Sequence, residues 1–151
     1  MKTYRQPIRK TESVRRILFP IFYGAFIPIL FLLGNPYIIN LIYIYLGVLA
    51  FFGLVSTTSF FYLKITEDTL IIQNLVYRHW GNQYSFCDIE KVEIGNTGGY
   101  TLDYIRVYTT TKKSRRYVIN LVNPKEYPNL IEDLESKGVK VEVKGIKVKR
   151  Y

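Results

Sequence analysis

The hydrophobic pattern of this chain changes once, and the change divides it. Positions 17–63 contain no Lys, Arg, Asp, Glu or His, and Gly34-Asn35-Pro36 divides them into two largely apolar runs. Beyond it, apolar residues come in short alternating stretches between turn residues, the signature of an antiparallel β domain. The first apolar run, 17–33, has 17 residues and the second, 37–59, about 23. At 1.5 Å per helical residue they reach roughly 25 Å and 34 Å, against a hydrocarbon core of roughly 30 Å. Two such runs joined by three turn-forming residues predict a transmembrane helical hairpin over 17–60. A basic arm, 1–16, is expected before it, a cytoplasmic domain at 61–145 after it, and a basic tail at 146–151.

Within the hairpin, Pro20 falls in a first turn, and Pro28 is expected to kink the first span. Gly24 and Ala25 could let it approach Gly47, Ala50 or Gly53 of the second, or simply face lipid. Tyr37 and Tyr62 are expected near the ends of the second span, at headgroup level. A basic arm before an apolar run also suits a signal peptide, but no small-x-small cleavage site follows and a second apolar run begins at once. The arm carries Lys2, Arg5, Arg9, Lys10, Arg15 and Arg16 against Glu12 alone. By the positive-inside bias this predicts a multi-pass protein of the cell (inner) membrane with both ends cytoplasmic. The bilayer and its anionic headgroups are then expected partners, the latter at the arm.

Charge and chemistry refine this picture only slightly. The net charge is +9 and the isoelectric point about 9.6. Such a balance suits nucleic acid, but more than half of the excess lies in the arm, so nucleic acid is disfavoured. One cysteine, Cys87, excludes an internal disulfide, and with one histidine, His79, it cannot fill a zinc site. No cofactor is expected.

In the β domain, 61–66 and 69–77 read as strands around the turn Glu67-Asp68. Residues 78–86 place Trp80, Tyr84 and Phe86 on one alternating face. Ile89, Val92 and Ile94 lead to the loop 95–99. Tyr100, Leu102, Tyr104, Arg106 and Tyr108 alternate with Thr101, Asp103, Ile105 and Val107, and 115–122 is expected to return antiparallel. Asn123 as cap, Pro124 at the first position and Gly138 as terminator predict one helix. Its apolar face is Tyr127, Leu130, Ile131 and Leu134. Pro128 argues for a late start. Val139, Val141 and Val143 suit a last strand.

The segments 62–72 and 85–94, the latter around Asp88-Ile89-Glu90, resemble bacterial pleckstrin-homology (PH)-like domains. The resemblance covers roughly 62–138, and Asn74 or its neighbours stand where that family commonly has glycine. It implies a bent antiparallel β-sheet or barrel of about six to seven strands with one C-terminal helix, after a membrane α-helical hairpin. It implies no shared catalytic residues.

The densest charge in the domain is Lys112, Lys113, Arg115 and Arg116 at a hairpin tip. These could contact an anionic surface or partner, or be a solvated turn. His79 reads as a structural or exposed strand residue rather than a proton-transfer group. Cys87 reads as a small buried residue. Loop 95–99 lacks the Lys-Ser/Thr of a phosphate cradle. Asp88, Glu90 and Glu93 could gather a cation, although their spacing gives no ligand geometry. The function expected is a noncatalytic, membrane-anchored PH-like module that binds or scaffolds a protein partner. An accessory or immunity-type protein, or a noncatalytic subunit of a membrane enzyme or transporter, is the alternative.

Overall fold

Alternating apolar and polar side chains build two four-stranded sheets in the computed structural model, which describes residues 1–11, 14, 38–96, 98 and 102–146. The first sheet runs in the order β1 (Lys2–Tyr4), β2 (Phe61–Ile65), β3 (Thr69–Asn74) and β4 (Asn82–Ser85), every pair antiparallel. The second comprises β5 (Ile89–Gly95), β6 (Tyr104–Thr109), β7 (Tyr117–Val118) and β8 (Lys140–Lys144), in the order β7-β6-β5-β8. Here β8 pairs parallel to β5. The expected single antiparallel sheet or barrel of six to seven strands is corrected accordingly. The physical reason is helix α1, Tyr127–Ser136, which lies between β7 and β8. It supplies the long crossover that a parallel pair requires and a tight hairpin cannot.

One core serves both sheets. Leu63, Leu70 and Ile72 of the first sheet are fully buried, as are Val92, Ile94 and Ile105 of the second. Leu130 and Leu134 of α1 belong to the same cluster. The caps place this helix: Asn123 Oδ1 accepts from Lys125 N–H at 3.0 Å, and Pro124–Glu126 forms a 3-10 turn before the α-helix begins. Gly138, at φ +79°, takes the left-handed conformation that ends it, and Val139 N–H closes back on Leu134 C=O at 3.1 Å. Asn74 ends β3 in a similar local way. Its buried side chain accepts from Val76 N–H at 2.9 Å and Tyr77 N–H at 2.8 Å.

The start of the basic arm is part of this fold. Lys2–Tyr4 adds to β2, Tyr4 is buried, and its hydroxyl donates to Asp133 on α1. Lys2 Nζ pairs with the same carboxylate at 2.7 Å, and Gln6 N–H donates to Leu121 C=O at 2.7 Å. Two compact units result, Met1–Pro7 with Thr58–Tyr151 and, separately, Ile8–Thr57.

The expected membrane hairpin is corrected as well. Its first span, 17–33, and the Gly34-Asn35-Pro36 link lie outside the described residues. Its second yields one helix, α2, Ile38–Thr57. Among the described residues no helix is long and apolar enough to cross a membrane. The multi-pass inner-membrane placement with cytoplasmic ends therefore falls with the hairpin. Within its own unit α2 carries no charge, and Tyr43, Ile44, Leu46, Phe51, Phe52 and Leu54 each expose more than half of their surface. It stops where Ser56 and Thr57 hydroxyls turn back to Phe52 and Leu54 carbonyls. Tyr62, expected at the end of a span, lies instead in β2, buried, with its hydroxyl donating to Gln73 Oε1 at 2.9 Å.

Candidate binding face on the second sheet

Successive strand residues point to opposite faces, so the register of the second sheet determines which polar residues meet. Val92, Ile94, Ile105 and Val107 turn into the core. On the other face three rows cross the strands. The first pairs Lys140 with Lys91 and Lys91 with Tyr108; the second pairs Glu142 with Glu93 and Glu93 with Arg106; the third pairs Lys144 with Gly95 and Gly95 with Tyr104.

Glu93 is the hub. It is only 3% exposed, yet its Oε1 accepts from Tyr104 OH at 2.6 Å, and its Oε2 from Tyr108 OH at 2.9 Å and Lys144 Nζ at 2.8 Å. Burial alone would raise this carboxyl. The donations from Lys144, Tyr104 and Tyr108 outweigh it and hold the group down at about 2. The same bond to Glu93 raises Tyr104 and Lys144 above their ordinary values. Gly95 makes room for this arrangement, since a Cβ there would stand 2.9 Å from Tyr104 OH and 3.0 Å from Lys144 C=O. Glu142 is taken up by Lys91, which reaches both carboxylate oxygens at 3.1 Å.

The four basic residues of the predicted tip do not form one patch. The turn closes through Thr109 N–H to Lys112 C=O at 2.8 Å and Ser114 N–H to Val107 C=O at 2.8 Å. Lys113 Nζ lies over the Tyr108 ring at 5.2 Å, and Arg116 over the Tyr104 ring at 4.7 Å, both joining the charged face. Arg115 leaves it. Its guanidinium sits over Tyr117 at 5.0 Å and Phe61 at 5.5 Å, and donates to Trp80 C=O at 2.7 Å. The turn holds Lys112 through its backbone.

The remaining sequence candidates are scattered. His79 is exposed in the 3-10 turn Arg78–Trp80, edge-on to the rings of Tyr77 and Trp80, which stack on each other at 4.5 Å. Cys87 is exposed, not buried, because Phe86–Asp88 is a 3-10 turn between β4 and β5 rather than the end of a strand. Asp88, Glu90 and Glu93 do not converge; among the described residues no three His, Cys, Asp or Glu side chains are grouped to hold a metal ion. In the loop after β5, Gly98 N–H donates to Asn96 Oδ1 at 2.8 Å, while Asn96 Nδ2 donates to Asp103 Oδ1 at 2.9 Å. Asp103 Oδ2 in turn accepts from buried Tyr127 at 2.9 Å; burial first, then this carboxylate, pushes the phenol up.

Sequence reasoning placed Arg106 on one face of its strand with Tyr104 and Tyr108, but missed the Glu93 network and the pairing that brings Lys140 to that face. The alternations Tyr104-Arg106-Tyr108 and Lys140-Glu142-Lys144 carried part of the signal. The parallel placement of β8 against β5, which unites them, leaves no local trace. In comparisons with known proteins, no family model and no curated protein matches the chain.

Proposed function

We propose that the unit formed by Met1–Pro7 and Thr58–Tyr151 is a noncatalytic, PH-like module that binds a partner protein. The observation that carries this reading is the state of Glu93. A group acting as general acid or base near neutrality needs an affinity for protons close to the ambient pH. Glu93 is held at about 2 by three donors from two strands, which makes it a brace for a charged surface. The closure of one core by α1 agrees with the helix that the PH-like resemblance implies. Around the brace, the face presents fixed charge on strands rather than on loops, as a recognition surface does when it is preorganised.

The test is chemical crosslinking of the tagged full chain in its source cells, followed by denaturing purification and mass spectrometry. A recurrent protein recovered in amounts comparable to the bait supports the reading. Recovery of no protein above a tag-only control contradicts it.

A further inference from the structure

The two carboxylates paired in register on the outer face of the second sheet are both spent within the sheet, while Glu90 stands exposed at the bulge between Ile89 and Lys91. Glu93 takes Lys144 at 2.8 Å and two tyrosine hydroxyls, and Glu142 takes Lys91 at 3.1 Å with Lys144 at 3.9 Å. Four cations on or beside the same face are left over: Arg106, Lys113, Arg116 and Lys140. No carboxylate of the described residues forms an ion pair with any of them. Arg106 is the sharpest case. Its register partner is Glu93, yet that carboxylate is committed elsewhere, and Arg106 Nε is shielded from solvent with no hydrogen-bond partner. A shielded donor without an acceptor is rare in native folds. Lys91 and Lys140 add to the tension, because like charges directly opposite across strands repel.

We infer that this face binds an acidic, carboxylate-bearing segment of a partner protein, with Arg106 at its centre. The inference rests on the protein-binding reading above and names the partner's chemistry. A carboxylate meets the planar guanidinium fork through two parallel hydrogen bonds, which an ammonium cannot provide. From Arg116 beside β7 to Lys140 on β8 the face crosses four strands, about 14 Å at 4.8 Å per strand. An extended segment of about four or five residues covers that distance. A single-stranded nucleic acid fits the same charge less well, because it gains affinity by stacking bases on bare aromatic rings. Here Arg116 lies over the Tyr104 ring, while Lys91 and Lys113 lie over that of Tyr108, at 4.7 and 5.2 Å.

The experiment titrates the full chain against a fluorescein-labelled octaglutamate peptide, read by anisotropy at low and moderate salt. The double variant Arg106→Gln, Lys140→Gln is compared with Lys125→Gln, Lys137→Gln, which removes the same charge elsewhere. The face variant is expected to bind at least tenfold more weakly, and the control pair within twofold of the parent. Arg106→Lys, which keeps the charge and loses the fork, should fall between them. Unchanged circular dichroism and melting temperature show that each variant is folded. Equal losses in both double variants overturn the inference, since net charge alone then explains binding. So does displacement of the peptide by a single-stranded oligonucleotide at lower concentration than unlabelled octaglutamate requires. A crosslinked protein partner whose capture survives the face variant overturns this face while leaving the protein-binding reading standing.

Discussion

The two sheets share one core but not one kind of surface. Across the outer face of the first sheet, one row runs Thr3, Lys64, Ile71, Gln83, with a single charge, and the next pairs Tyr62 with Gln73. Across the second, a comparable row runs Glu142, Glu93, Arg106, with every member charged. Amides and hydroxyls suffice to satisfy a solvated β surface. Building a buried carboxylate and leaving cations over is costlier, and the added charge distinguishes the second sheet, the one proposed to meet a partner.

Predictions follow from breaking this contrast. The largest effect comes from removing what the sheets share. Leu130→Ala, at a fully buried position, should cost about 2–5 kcal/mol. Trp80 fluorescence and far-ultraviolet dichroism should still report one coincident transition in denaturant; separate transitions would mean two independent cores.

The next change touches only the second sheet. Glu93→Gln should cost about 1.5–3 kcal/mol at neutral pH by weakening charged hydrogen bonds. Its pH signature is specific. The folded carboxyl lies near 2 against an ordinary 4.5, so the unfolded chain binds more protons between those values and stability rises with pH there. The contribution is complete above about 4.5 and is lost as pH falls through about 2. Melting temperatures of parent and variant should therefore converge on acidification; a constant gap would refute the assignment. Asp133, also held down against burial by Lys2 and Tyr4, titrates in both proteins and drops out of the difference.

Gly95→Ala forces a Cβ against Tyr104 OH and Lys144 C=O and should cost about 1–3 kcal/mol, read by thermal unfolding. On the first sheet, Tyr62→Phe removes one neutral hydrogen bond to Gln73 and should cost about 0.5–1.5 kcal/mol, with no change in acid dependence. Lys113→Gln, at the exposed tip, should shift stability by less than about 0.5 kcal/mol in either direction.

What the sequence discloses is what its residues settle locally. The Asn123 cap, Pro124, Pro128 and Gly138 delimit α1 because each acts within one turn. The alternation in β6 sorts Ile105 and Val107 from Tyr104, Arg106 and Tyr108 for the same reason. Long-range pairing is where the reading fails. Lys2-Thr3-Tyr4 has no pattern that sets it apart from a basic arm, and its strand exists because Tyr4 reaches Asp133 across the chain. The run 17–63 carries no charge from α2 into β2, and only the uncharged polar stretch Ser56-Thr57-Thr58-Ser59 marks where helix gives way to strand. At the tip, four basic neighbours in sequence are separated because Arg115 and Arg116 leave the strand in opposite directions, one to Trp80 and the other to Tyr104. Density of charge in sequence was a poor guide to density in space.

The contrast between the sheets is tested most directly by amide chemical-shift mapping of the isotope-labelled full chain as unlabelled octaglutamate is added. The account predicts saturable shifts at Lys91, Glu93, Arg106, Lys140 and Glu142, with Thr3, Lys64, Ile71 and Gln83 unmoved. Shifts spread equally over both sheets, or confined to the first, would contradict it.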